Sequence, residues 1–354
     1  MRDKIRIGII TFLITMVIML LLFNFFDEST KKIYSFNRKF ISKDSILNFQ
    51  KSFKKMNEDE YVMGINSDNC IVERDKNNID KNNDQYRFYI NNLVFSKKQI
   101  VEVVLPINSN VLFCDLEQVI FTNHFLMYKY NILTKTIFEL KIPKVKVTSL
   151  KPILNSKSKF LCFGEVSQNQ FYNTCFFTLD FKSSNIEIVK ILGSDSETNI
   201  PKNALMYSGK FWSFSENKLL SFCCDKYCKI YFFDNNGIFI KELSTLDNTP
   251  LPSIIQNEQG FSFYSRQGTW FSNMGLFLEK DKIFVFSSST EKKINTEIIV
   301  DQYSFNDLKY IQSFKINYNN QASASIRNVF IKKEAIIIGF EFNYASFVFS
   351  RYIM

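Results

Sequence analysis

Seven cysteines and a single histidine bound the chemistry open to this chain of 354 residues. Cys223, Cys224 and Cys228 crowd into the stretch CCDKYC, and Cys70, Cys114, Cys162 and Cys175 are spread over the preceding sequence. Zinc takes four ligands, usually from two paired knuckles. There is no Cys-x-x-Cys, and the one histidine, His124 in TNHFLMY, is about 100 residues from the cysteine cluster. No metal site is expected, and a redox role is weak without Cys-x-x-Cys. One imidazole leaves little room for a Ser-His-Asp or Cys-His arrangement. No Gly-x-Gly-x-x-Gly, Walker loop or Gly-x-Ser-x-Gly occurs. Glu165, Asp180 and Asp234 fall at strand ends, and Asp234, in DNNG, reads as a turn residue. No catalytic residue and no cofactor is assigned.

The cysteines can instead cross-link. If Asp225-Lys226 is a two-residue hairpin loop, Cys223 and Cys228 form a cross-strand pair with Cα atoms about 4.5 Å apart. That is within disulfide range. A three-residue loop would pair Cys224 with Cys228 instead. Cys162 and Cys175 face each other if their hairpin turns around Gln168-Asn169. Cys70 and Cys114 are expected as small buried hydrophobes, and an odd total leaves at least one thiol unpaired.

Disulfides require an oxidising compartment, and the N-terminus predicts export. Residues 7–26 read IGIITFLITMVIMLLLFNFF, without a charge, behind Arg2, Lys4 and Arg6. A helix of that length spans roughly 30 Å, the hydrocarbon thickness of a bilayer. The basic residues keep the N-terminus cytoplasmic and place the remainder in the periplasm or outside the cell. The run is longer than a signal-peptide core, and Phe25-Phe26-Asp27-Glu28 offers no small-x-small cleavage site. A single-pass, uncleaved signal anchor is expected, with residues 1–6 cytoplasmic; cleavage is the alternative.

The elements that would position any site come from a repeat. Its clearest copy is FWSFSENKLLSFCCDKYCKIYFFDNNGIFIKEL, residues 211–243: four short apolar strands separated by polar turns. Four antiparallel strands per unit, repeated, mark a β-propeller blade. First turns recur at 66–69, 115–118, 155–159, 215–218, 279–282 and 332–334. Strand–turn–strand halves follow at 86–106, 125–143, 171–192, 229–243 and 298–316. The fold class is all-β: a six-bladed propeller, seven blades being the alternative, over residues 58–354, preceded by one transmembrane helix. The last unit is one strand short, and Lys32–Ile41 (KIYSFNRKFI), within a stalk at 27–57, is expected to supply it and close the ring. Ser45–Asn57 reads as a short amphipathic helix. Phe (39) and Tyr (16) suit pleated, half-buried surfaces. Ten Gly are few for so many turns, which lean on Asn, Asp, Ser and Lys.

The longest connection, Ser244–Asn273, contains the aromatic stretch GFSFYSRQGTWFS. Loops on a rigid scaffold commonly carry function, so Tyr264, Arg266 and Trp270 are the candidate partner contacts. The alternative makes this stretch an innermost strand with its lead-in, and Trp270 a core residue. The net charge is +9, with Lys141, Lys144, Lys146, Lys151, Lys157 and Lys159 in one acid-free run. Such a run fits anionic headgroups or an acidic partner, or simply a solvated edge. An exported domain excludes nucleic acid.

KIYFFDNNGIFIKEL and MYKYNILTKTIFELKIP resemble the outer strand pairs of six-bladed β-propellers of the TolB-like and NHL-like kind. The resemblance covers residues 30–354 by pattern, and only KIYFFDNNGIFIKEL is characteristic. It implies a ring of sheets around a channel and a binding or scaffold role. Some relatives are hydrolases or lactonases with channel carboxylates and metal, but no such set maps onto these residues. The expected function is a membrane-anchored, extracytoplasmic binding or scaffold module for an envelope partner protein. The alternatives are a propeller hydrolase or lactonase with a channel metal, and an architectural subunit of a membrane complex.

Overall fold

The computed structural model describes side chains at Arg38, Lys39 and Gln85–Phe88, over most of 100–193, 203–287 and 299–314, and at Thr15, Met16 and Met19. For the flanking strands it describes backbone and pairing. Apart from helical Thr15, Met16 and Met19 and one 3-10 turn, the described chain is all-β, with six four-stranded antiparallel sheets and one short hairpin. That is the pattern of a β-propeller.

Sheets 1 to 5 are meanders of consecutive strands. Sheet 1 comprises Tyr61–Ile65, Cys70–Asn78, Asn83–Asn92 and Lys98–Pro106; sheet 2, Asn110–Cys114, Gln118–Asn123, Leu126–Asn131 and Thr136–Leu140. Sheet 3 runs Val145–Pro152, Lys159–Gln168, Phe171–Asp180 and Ile186–Ile191; sheet 4, Gly209–Phe214, Leu219–Cys224, Lys229–Asp234 and Phe239–Ser244. Sheet 5 holds Asn273–Glu279, Lys282–Ser287, Glu297–Ser304 and Tyr310–Asn317. Sheet 6 holds Ile326–Lys332, Ala335–Phe340 and Asn343–Val348, and its fourth, outermost strand is Gln50–Lys55, antiparallel to Asn343–Val348.

That last pairing corrects two expectations. The completing strand is Gln50–Lys55, not Lys32–Ile41, and it occupies a stretch read as a helix. The reading followed the aromatic richness of KIYSFNRKFI. An outermost strand has a solvated edge and needs little apolar surface, and lysines there blunt edge-to-edge association. QKSFKK, with three lysines, fits that position. Of Lys32–Ile41, Arg38 and Lys39 are described, and neither lies in a strand. Of Ile7–Phe26, Thr15, Met16 and Met19 are described, all helical and exposed; the rest of the expected anchor lies outside the described residues. Among the described residues no helix is long and apolar enough to cross a membrane.

The core lies between sheets. Strand alternation gives every sheet two apolar faces, and each buried cluster joins neighbours. Tyr86 and Phe88 of sheet 1 pack with Val119 and Phe121 of sheet 2. Ile120 and Met127 of sheet 2 pack with Phe160 and Phe177 of sheet 3. Leu220 and Phe222 of sheet 4 take the other face of sheet 3, and Cys223, Ile230 and Phe232 meet Leu276 and Val285 of sheet 5. The seam between sheets 3 and 4 is the most aromatic. The Phe176 ring lies 5.1 Å from Phe222 and 4.9 Å from Phe233, and Phe163 lies 4.7 Å from Phe222. Such pairs add about 0.5–1.5 kcal/mol each beyond area burial.

Turns are held by short polar side chains rather than by glycine. Asp115 Oδ1 accepts from the amides of Glu117 and Gln118, both at 2.8 Å. Asp180 Oδ1 accepts from Lys182 N, and Asp234 Oδ1 from Asn236 N and Ile238 N. Lys135, Lys218, Lys280 and Asn248 adopt positive φ where glycine is commoner. Gly237 is the exception in DNNG: at φ +83°, a Cβ there would also press on Ile153 Cδ1.

Candidate functional site

One end of sheet 4 gathers the long connections. The segment ahead of its first strand forms a 3-10 turn, Ala204–Tyr207, capped by Asn203, whose Oδ1 accepts from Leu205 N at 2.9 Å. Asn203 Nδ2 donates to Ser262 Oγ at 3.0 Å, which ties this turn to the hairpin Ile254–Gln256/Ser262–Tyr264. The Tyr264 hydroxyl is hydrogen-bonded to Leu205 O (2.8 Å) and Ser208 Oγ (2.7 Å). The Lys226 ammonium sits 4.2 Å from the centre of its ring, a cation–π contact. Burial raises the Tyr264 phenol pKa, against the Ser208 hydrogen bond.

Next to Lys226 lie a second lysine and a carboxylate. Lys210, second residue of the first strand of sheet 4, neighbours Asp225 and Lys226 of the loop joining the second and third strands. Burial lowers the pKa of Lys210, with Asp225 opposing. Burial raises that of Asp225, with Lys210 and Lys226 opposing. Desolvation therefore outweighs attraction in both partners, as it does for charges withdrawn from water. The loop backbone is fixed from both sides: Asp225 N donates to Ser208 O at 2.8 Å, and Ser272 N donates to Asp225 O at 2.7 Å. Asn273 Nδ2 donates to Cys224 O (2.9 Å) and Tyr227 O (3.1 Å). Asp247, buried beside them, accepts from Thr245 Oγ1 at 2.6 Å and from Ser272 Oγ. The result is a rigid loop face over sheet 4, both cationic and aromatic, with a carboxylate among its lysines.

Tyr264 is thus part of this face. Arg266 and Trp270 lie outside the described residues, and the first strand of sheet 5 begins at Asn273, after the aromatic stretch. Sequence reasoning passed over Lys210 and Asn273 and took Asp225 and Lys226 only as a hairpin loop. The available signal was a charge within an otherwise apolar strand, Lys210 in GKFWSF, and charges in the loop that follows LLSFCC.

The expected disulfides are corrected. All six described cysteines are free and buried. The sheet 4 loop has four residues, Asp225–Cys228, so Cys223 stands opposite Ile230 rather than Cys228. Asn273, reaching in from sheet 5, is hydrogen-bonded to it at the carbonyls of Cys224 and Tyr227. In sheet 3 Gln168 pairs with Phe171, one residue later than the expected turn. Cys162 therefore faces Phe177 and Cys175 faces Gly164. A two-residue offset keeps both thiols on one sheet face, as diagonal neighbours in one core cluster. Cys70 stands at the start of a strand, and its side chain and His124 lie outside the described residues.

The basic run is described in part. Lys144, Lys146 and Lys159 are exposed, but Lys146 bridges to Glu165 at 3.3 Å and lies 4.5 Å over the Tyr172 ring. Lys141 and Lys157 lie outside the described residues. Glu165 also accepts from Ala204 N at 3.2 Å. Among the described residues no three His, Cys, Asp or Glu side chains gather as metal ligands.

No protein-family model and no curated protein matches the chain. Many solved structures are similar, three of them as follows. A member of the DUF4221 family from Bacteroides vulgatus is 10% identical, with 87% of this chain and 99% of that one covered and a TM-score of 0.49. Virginiamycin B lyase from Staphylococcus aureus is 12% identical, with 86% and 100% covered and a TM-score of 0.43. Hsv2p from Kluyveromyces lactis is 13% identical, with 83% and 89% covered and a TM-score of 0.36. At these identities and TM-scores the likenesses bear no argument about function.

Proposed function

We propose that this protein is a membrane-anchored, extracytoplasmic six-bladed β-propeller that binds a partner protein of the cell envelope through the loop face over sheet 4. The observation that carries the reading is the fixation of that face. Connections from sheets 3, 4 and 5 are tied together by Asn203–Ser262, Tyr264–Ser208 and Asn273–Cys224 hydrogen bonds. Loops ordered before binding lose less entropy when a partner docks. Aromatic side chains are enriched where partners dock, and Tyr264, its ring faced by the Lys226 ammonium, supplies one. Anchoring rests on the apolar run Ile7–Phe26, and export on the three basic residues before it.

The test is affinity purification of the full chain from solubilised membranes, comparing wild type with Lys226→Glu and Tyr264→Ala. A protein recovered with wild type and depleted about tenfold with either variant supports the reading. Identical recoveries would sink it. Export is read separately: a periplasmic reporter fused after residue 354 is active only if the ring leaves the cytoplasm.

A further inference from the structure

Sheet 5 meets a second part of the chain at its outer edge. Its edge strand is Tyr310–Asn317, and Lys39 is hydrogen-bonded to that strand, Arg38 to the one before it. Ser313 N donates to Lys39 O at 2.9 Å, the bond that a further strand would make. Lys39 N donates to the Tyr310 hydroxyl at 2.9 Å, and that hydroxyl is 2.7 Å from Ser313 Oγ.

The Arg38 side chain reaches inward across the sheet. Its Nε donates to Asp301 Oδ1 at 2.7 Å, and one terminal nitrogen donates to Asp301 Oδ2 at 2.9 Å and Ser287 Oγ at 3.0 Å. Asp301 Oδ1 also accepts from Ser313 Oγ at 2.5 Å. The two side chains are 5% and 3% exposed. Asp301 sits mid-strand in EIIVDQYS, opposite Val285 and Ser313. A carboxylate there is strongly disfavoured unless paired. The planar guanidinium satisfies both its oxygens at once, which an ammonium does not.

We propose that the outer edge of sheet 5 is a docking site for the chain's own N-terminal segment, keyed by Arg38 on Asp301. The occupant is fixed by what is seated there, residues 263 positions away in sequence. The contact acts as a latch. With Gln50–Lys55 alone attached, the chain ahead of residue 50 would pivot at sheet 6. The latch moves the pivot to Arg38, on sheet 5. Residues 27–37 are then the whole slack between the apolar run and the ring, at most about 40 Å fully extended. The latch stands independently of the membrane reading; only what it holds the ring against rests on that reading.

The test uses the full chain in detergent, by hydrogen exchange and by lysyl endopeptidase cleavage at Lys39. Arg38→Ala and Asp301→Asn should each raise exchange in the peptide containing Ser313, and cleavage at Lys39, by about tenfold or more. Their combination should add little beyond either one. Arg38→Ala leaves Asp301 buried without the guanidinium, and sheet 5 itself can open. The double variant removes both charges, so the strand Lys282–Ser287 should then stay protected while Ser313 and Lys39 are released. Continued protection of Ser313 and Lys39 in the double variant overturns the proposal. So does loss of protection throughout sheet 5 in that variant, which would make the contact part of the sheet rather than a latch. Vesicle flotation of the same samples reads the membrane question separately.

Discussion

A thiol inside a packed seam is governed by water more than by its neighbours. Burial raises the pKa of every described cysteine, to about 11 at Cys228 and about 12 at Cys175. Cys228 is pushed up further by Asp247, and at Cys175 a backbone hydrogen bond from Val166 works the other way. The nucleophile is the thiolate, so at pH 8 the native protein should react with a thiol reagent only slowly. All six described cysteines should become reactive together on addition of denaturant. A mass shift showing fast modification of Cys223, Cys224 or Cys228 in native buffer would contradict this. Equal labelling of reduced and unreduced denatured samples checks that none is bridged. The residue types were legible in the sequence, but the pairing was not. Pairing depends on loop length, and the four-residue loop Asp225–Cys228 is hydrogen-bonded by Asn273, a residue from another sheet.

At the scale of elements, the six first turns and the strand–turn–strand halves fall where apolar periodicity and Asn, Asp, Ser and Lys punctuation put them. Gly209–Phe214 and Leu219–Cys224 are examples, on either side of the turn at 215–218. Local pattern suffices there because a short apolar run, buried on both faces in Leu219–Cys224, is bounded by polar turn residues. It fails at Gln50–Lys55, where an edge strand needs almost no apolar signal, and at Lys32–Ile41, where a richer signal misled. Between elements, charge adds what pattern cannot show. Glu242 on the last strand of sheet 4 meets Lys229 at 2.9 Å and Lys190 of sheet 3 at 3.4 Å. The Lys190 ammonium also lies 4.2 Å over the Phe239 ring. Burial tends to raise the Glu242 pKa, but hydrogen bonds and attraction from Lys229 and Lys190 prevail and lower it below the ordinary 4.5. A lowered carboxylate pKa means stability that is present above about 4.5 and lost as pH falls through the folded value. The side chain is 36% exposed, so water screens the network and its worth is about 0.5–1 kcal/mol. Glu242→Gln should therefore lower the melting temperature slightly at pH 7 and by less at an acidic pH below the folded value. An equal loss at both pH values would show that the network is not electrostatic.

At the scale of the molecule, sheet 6 is, among the described strands, the one sheet that joins an N-terminal strand to C-terminal ones, so it decides whether the repeat behaves as a cooperative unit. Without Gln50–Lys55, the strand Asn343–Val348 would present a bare edge along NYASFV, and open edges recruit other chains. Three lengths of chain separate the contributions. One beginning at residue 37 keeps Arg38 and the edge strand; one at residue 45 keeps only the strand; one at residue 58 keeps neither. The first two should be monomeric by light scattering, with the second melting a few degrees lower because Asp301 has lost its guanidinium. The third loses the pairing of Gln50–Lys55 with Asn343–Val348. At about 1 kcal/mol net per backbone hydrogen bond, and about 2–4 °C per kcal/mol in domains of 150–250 residues, its midpoint should fall by about 5 °C or more. It should also associate with rising concentration. If the chain beginning at residue 58 remains monomeric and melts with the others, the N-terminal strand is dispensable. Sheet 6 would then be stable with three strands, and closure from both ends would not be what makes the propeller one folding unit.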